Sequence, residues 1–374
     1  MIWMMALMWA CNGQKEQDTG AGILQCLAGD SWKGPTEIFS NLPTTQIHSD
    51  IAFDGAHLWM VFNLPNVDNQ FDVYLAGWNC DGSIYQEPSQ ILAIEGLNQT
   101  TPRIAVSQDR ILVASQADDG SGSNNMSIWL YVQDSMGTVL SQNQWNPVID
   151  GIETGNDWLP SIVGTENGFW MASASANENY FRIAVQRLDV NGNVAGNPFW
   201  VGPDEWVVYP NIGGTDEAFV VGWEDGNDAV GWQTGKGNGE LGAIQTQPNA
   251  GSIKVLWNGG DVQSFYHQRS PLQVQFNGIP TTSQSNTILP NAVSGVDHSL
   301  AIFFGIQSGY QNDVWVSLLG NEQVLQQDIL LQSDPPAAPY RPAITHLGED
   351  RFFVMWSQGN NPEFTLWGQV VEVQ

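Results

Sequence analysis

Six side chains stand close to a recurring Pro-x-Ile motif and have types suited to holding a ligand: Arg103, Trp158, Trp206, Tyr209, Tyr340 and Arg341. Trp158 and Trp206 lie in loops that lead into a strand, and the other four precede or flank the motif itself. Aromatic faces stack on sugar rings or apolar ligands, and cations and hydroxyls fix orientation, when such groups converge in a concave mouth. The competing expectation is that the same rings merely plug a channel.

Other chemistry is thinner. Polar loops carry Asp118-Asp119 and, further on, Glu224-Asp225 with Asp228. These are oxygen ligands of the kind calcium takes, although none has the spacing of an EF-hand. Solvated turns are the better reading of them. The five histidines are scattered, with no HExxH, and no GxSxG or Ser-x-Asp-x-Gly-x-Thr-Trp box occurs. The 39 acidic residues leave many candidate carboxylate pairs for glycosidic bond cleavage. No further cofactor is expected.

The elements that would position these residues repeat along the chain. Taking the residue two after Pro, or its equivalent, gives Ile51, Ile104, Ile162, Ile212, Ile253, Ala292 and Ile344, spaced about 49 residues apart. A first strand opens on Pro102, Pro160, Pro210, Pro290 or Pro342, where the first residue of a strand need not donate to the ladder. Second strands read HLWMVF, RILVAS, GFWMAS, AFVVGW, SLAIFF and RFFVMW, with KVLW or VQSFYH in the poorest, fifth copy. Third strands such as FDVYLAGW, MSIWLYV and FRIAVQRL end at Asp81-Gly82, Met136-Gly137 and Asn191-Gly192. Asn167-Gly168 marks the first turn of copy three, because Asn-Gly tolerates the positive φ that tight hairpins need. Most of the 17 tryptophans, from Trp59 to Trp367, fall in second or third strands and are expected to fill the space between sheets. No amphipathic helix is apparent, so the class is all-β.

The seventh copy ends after its third strand, and GPTEIFS at 34–40 resembles the fourth strands of other copies. That pattern predicts a seven-bladed β-propeller of four-stranded antiparallel blades, closed by the N-terminal strand in the last blade. Six blades plus an insertion at about 240–285 is the alternative. Pro-x-Ile, a strand ending Val-x-Trp, and QRLDVNGNVAGNPFWV resemble the β-propeller repeats of bacterial secreted proteins and lipoproteins. The resemblance spans nearly all of 34–374 and implies architecture only, since those repeats share no catalytic residues. Ring closure would also bring the tail near the turn holding Cys80, which makes a Cys26–Cys80 disulfide reasonable.

Composition bounds the setting. Eleven Lys and Arg oppose 39 Asp and Glu, a net charge of −28, which disfavours nucleic acid as a partner. MIWMMALMWAC is too short to span a bilayer and reads as a signal region, with Met8-Trp9-Ala10-Cys11 resembling a lipobox whose cysteine is diacylated. The organisation expected is a lipoprotein-type signal at 1–10, a polar tail at 11–33 and the propeller at 34–374. The expected address is the bacterial cell envelope outside the cytoplasm, reached through a lipid anchor at Cys11 and nearer the outer membrane or surface than the inner membrane. The expected role is binding a glycan or an envelope protein, with no enzymatic activity; a polysaccharide hydrolase or lyase and a structural envelope component are the alternatives.

Overall fold

The computed structural model describes residues 26–27, 32–39, 48–68, 70–118, 126–154, 156–176, 181–258, 260–295, 298–307, 310–320, 323–333, 339–360 and 363–373. The signal region, the remainder of the tail, Cys11 and Asp119 lie outside them.

Seven four-stranded antiparallel sheets form the molecule, each with strands in sequence order from the channel outward except the last. Their inner strands are Ser49–Phe53, Asn98–Ser107, Asp157–Thr165, Val207–Gly214, Ala250–Asn258, Thr287–Ser294 and Pro339–Gly348, defining blades 1 to 7. In blade 7 the order is Pro339–Gly348, Arg351–Asn360, Glu363–Glu372, then Thr36–Glu37 at the outer edge. Thr36 pairs with Gly368 and Glu37 with Trp367, and the Ile38 amide donates to the Leu366 carbonyl at 2.8 Å. The two ends of the chain therefore share one sheet, which removes an open edge from the ring. A small hairpin, Val148–Ile149 with Ile152–Glu153, is the one addition among the described residues.

Second strands are buried on both faces because each is sandwiched between neighbouring blades, so they read as continuous apolar runs. Trp59, Trp170, Trp223 and Trp356 are fully buried there. Trp59 and Trp223 each lie against a glycine paired with them on the third strand, Gly77 and Gly231. A Cβ at Gly77 would come 2.9 Å from the Trp59 ring, so the missing side chain is what lets the indole lie flat on the sheet. Trp257 departs from the expected pattern: it belongs to an inner strand.

Third-to-fourth turns are built by aspartate. Asp134 Oδ1 accepts the amides of Met136 and Thr138, and Asp189 Oδ1 those of Asn191 and Asn193, both ahead of a glycine at positive φ. The first turn of blade 3 differs by one residue from expectation. Thr165 pairs with Gly168, leaving Glu166 and Asn167 at the tip, where Asp216 of blade 4 accepts from the Asn167 amide and side chain.

Blade 5 settles the blade count. Ala250–Asn258, Asp261–Arg269, Leu272–Phe276 and Ile279–Pro280 make a full, if short, sheet, so the six-bladed alternative is wrong. The second strand contains VQSFYH and not KVLW. Val255 pairs with Ser264 as Ile104 pairs with Val113, so Val255, not Ile253, is the equivalent of the other anchors. Ile253 instead takes the place that proline has in the neighbouring blades.

Those prolines do not begin their strands. In six blades the inner-strand register slips, between Thr100 and Arg103, Trp158 and Ser161, Val208 and Asn211, Gly251 and Lys254, Ile288 and Asn291, and Tyr340 and Ala343. Each slip contains one residue in the left-handed region: Thr101, Leu159, Tyr209, Ser252, Leu289 and Arg341, with φ between 49 and 54°. Proline, which cannot donate to a ladder, fits such a bulge without losing a hydrogen bond. None of the six is glycine, so this backbone is strained at the same point in blade after blade.

Candidate functional site: the channel mouth

The bulges converge. All six left-handed residues line one cavity of about 200 Å³ at the mouth of the channel. In blades 2 to 6 the residue after the bulge proline, or its equivalent, faces the same space, Arg103, Ser161, Asn211, Lys254 and Asn291, and Asp50 does so from blade 1, which has no bulge; blade 7 has Ala343 there, outside the lining. One position of the repeat thus builds much of the channel wall, with a polar side chain from six of the seven blades.

Inner strands are sheet edges, and their free backbone groups need partners. Several wall residues supply them across blade boundaries. The Ile104 amide donates to Asp50 Oδ2 at 3.3 Å, the Ile212 amide to Ser161 Oγ at 3.1 Å and the Val255 amide to Asn211 Oδ1 at 2.9 Å. Asn291 Nδ2 donates to the Pro342 carbonyl at 2.8 Å. From a second strand, Glu224 Oε1 accepts the Ser252 amide at 2.9 Å. These bonds fix the wall rigidly, as a binding site requires.

Burial dominates the electrostatics. His48 is held neutral, its pKa pushed down to about 3 by burial and by the charges of Arg341 and Arg103. Burial, with a smaller push from Arg103 and against the opposing pull of Asp50, lowers the Lys254 ammonium to about 8. Arg341 is lowered by burial and by Arg103. Burial raises both Asp50 and Glu224, despite nearby cations and their backbone donors.

The Lys254 shift is directly measurable. Only four lysines occur, so a ¹³Cε NMR titration is expected to show one of them deprotonating near pH 8, well below the ordinary 10.5, with Lys254→Met removing that resonance. Four lysines titrating together near the ordinary value would refute the burial of this ammonium.

Three of the six expected ligand residues, Arg103, Tyr209 and Arg341, line the cavity. Trp158 stands behind Tyr209, ring centroids 6.5 Å apart, and packs on Phe181 at 5.1 Å. Trp206 meets the other side of this group, edge-on to Phe181 at 5.0 Å, and is 48% exposed beside Tyr209 at 49%. Trp158, Phe181, Trp206 and Tyr209 therefore make one aromatic rim over blades 3 and 4. Tyr340 is not part of it; its ring lies edge-on to Phe364, 5.4 Å away.

Cys26 and Cys80 are joined by a disulfide, and the Leu27 amide donates to the Cys80 carbonyl at 2.5 Å. The acidic loop residues have separate tasks. Glu224 holds Ser252, Asp225 Oδ1 accepts the Asn227 and Ala229 amides, and Asp228 pairs with Arg269. Asp118 has a partner of its own. Among the described residues no three His, Cys, Asp or Glu side chains gather as a metal would require.

His48, Asp50 and Lys254 were not picked out by sequence reasoning, and Glu224 was picked out only as a calcium ligand. The available signal was the middle residue of Pro-x-Ile: it names Arg103, Ser161, Asn211 and Asn291 at once. Lys254 was hidden by the misplaced anchor of blade 5, and Asp50 by a first blade without the proline.

No protein-family model matches the chain, and no curated protein is similar to it in sequence. Solved structures share its fold. A protein of unknown function from Dyadobacter fermentans superposes with a TM-score of 0.59 at 11% identity, over 92% of this chain and 99% of that one. Trypanosoma rangeli sialidase, solved with the inhibitor DANA, gives 0.55 at 9% identity over 90% of this chain, which spans only 58% of that enzyme. The phage phi92 endosialidase gives 0.50 at 9% identity, over 92% of this chain and 70% of that one. At such identities the likeness establishes the seven-bladed propeller and nothing about activity.

Proposed function

We propose that this propeller is a carbohydrate-binding protein that presents its channel mouth and aromatic rim to a glycan outside the bacterial cytoplasm, tethered through a lipid on Cys11. One observation carries the reading. Tyr209, which lines the polar cavity, and Trp206, joined to it through Phe181 and Trp158, stand about half exposed, at 49% and 48%, in a chain that buries most of its large aromatics. Exposed rings backed by fixed rings suit stacking against a sugar face, and the cavity's rigid polar wall suits its hydroxyls. The fold shared with two sialidases makes sugars the first ligands to try and lends no further weight.

A glycan array probed with the folded chain tests this. Binding to a defined set of glycans is expected, with Trp206→Ala and Tyr209→Ala each reducing it about tenfold, since stacking and burial of one aromatic contribute roughly 1–3 kcal/mol. No binding above background, or binding that both variants leave intact, refutes the reading.

An enzymatic alternative has one observation in its favour: two carboxylates, Asp50 and Glu224, line the cavity and are pushed toward the protonated form by burial. Both, however, also hold the wall together, Asp50 by accepting the amides of Ile51 and Ile104 and Glu224 by accepting that of Ser252. Release of reducing ends, or of unsaturated products, from bound glycans would favour this alternative.

A further inference from the structure

The chain is strongly acidic, yet its channel mouth is cationic. Arg103, Lys254 and Arg341, three of eleven Lys and Arg in a protein of net charge −28, line one cavity of about 200 Å³. Six of the eight other Lys and Arg behave differently. Arg110, Arg182, Arg187, Lys236, Arg269 and Arg351 each form an ion pair with a carboxylate. Among the described residues, none stands within ion-pair distance of Arg103, Lys254 or Arg341.

We propose that the glycan taken at the channel mouth is acidic, its carboxylate or sulfate held by Arg103, Arg341 and Lys254. This rests on the carbohydrate reading above and adds the chemical class of the ligand.

Gathering like charges in a confined space opposes folding, and here burial and then Arg103 lower both Arg341 and Lys254. A structural role would place carboxylates beside them, as at the other arginines. The two acids present accept backbone amides, Asp50 those of Ile51 and Ile104 and Glu224 that of Ser252; Asp50 also attracts Arg103 and Lys254 without coming within ion-pair distance of them. His48, held neutral, adds a hydrogen-bonding group without adding charge. A guanidinium offers two parallel donors to a carboxylate or sulfate, and an acidic exterior would steer such a ligand away from every other face.

The test is calorimetric titration of the folded chain with glucuronate, galacturonate, a sialic acid and a 6-sulfated hexose, each beside its neutral counterpart. At least one acid is expected to bind, its neutral counterpart at least about tenfold more weakly. Arg103→Gln and Arg341→Gln should each weaken the acid about tenfold or more, with unchanged circular dichroism and melting temperature. Neutral sugars binding as tightly as acids, or acids binding equally to both variants, overturns the inference and leaves the carbohydrate reading standing. Inorganic sulfate and acetate displacing nothing but binding at the arginines, with no sugar bound, keeps the anion site and overturns the carbohydrate reading. No binding of any probe overturns both.

Discussion

Replacing Cys26 and Cys80 with serine is expected to lower the stability of the ring by about 4 kcal/mol, a large fraction of what holds a domain folded. The bridge spans 54 residues of sequence, and closing a loop of that length in the unfolded chain carries an entropy of this size. The folded state gives the bridge a particular importance. Among the described residues the closing strand meets its neighbour through two residue pairs, Thr36 with Gly368 and Glu37 with Trp367, and the bond from the Ile38 amide to Leu366. The disulfide fastens the segment that precedes it to blade 1, while Arg351, buried and paired with Glu372, donates to the Cys26 carbonyl. Trp32 then packs edge-on against Phe353 at 5.3 Å, and Phe39 against Phe62 and Trp78 at 5.2 and 5.1 Å. Loss of the bridge lets this segment fray, which exposes the edge of blade 7. Urea unfolding of the oxidised and the serine-substituted protein measures the difference; a change below about 1 kcal/mol would mean that the closing strand holds without its tether.

Gly164→Ala is the second large effect. A Cβ at Gly164, on the inner strand of blade 3, would lie 1.7 Å from the Val106 carbonyl oxygen and 2.6 Å from its carbon, on the inner strand of blade 2. No rotamer change relieves a contact between a Cβ and backbone, so two blades must separate where they approach most closely. A loss of about 3 kcal/mol or more is expected, at the upper end of overpacking effects. Gly34→Ala is the control: a Cβ there meets nothing within 4 Å, and its effect should stay within roughly 0.5 kcal/mol. Equal thermal unfolding of the two variants would show that the inner strands can slide past one another, contrary to the tightly laced wall.

Particular residues show what the sequence could and could not convey. Alternation, Asp-Gly and Asn-Gly turns and apolar second strands are local signals, and they were enough for seven sheets and for the strand at 36–37 that closes them. Arg103, Tyr209 and Arg341 were recognisable because they adjoin a proline that repeats. The bulge itself was not legible, since its mark is a positive φ at Thr101, Leu159 or Arg341, residue types that carry no preference for that conformation. Tyr340 shows the consequence. It neighbours Arg341 in sequence, but the slip in register between Tyr340 and Ala343 lets the arginine line the cavity while the tyrosine packs against Phe364. Lys254 and Asp50 enter the site from blades where the proline is missing, so only the strand pairing of the folded ring places them opposite Arg103.

The most direct test of the channel mouth as the binding site is a crystal structure of the protein soaked with whichever acidic sugar binds it most tightly in solution. The carboxylate or sulfate should lie within hydrogen-bonding distance of the guanidinium groups of Arg103 and Arg341, with the sugar ring reaching toward Tyr209. A sugar bound on another face, with the cavity between those arginines holding only water, would contradict it.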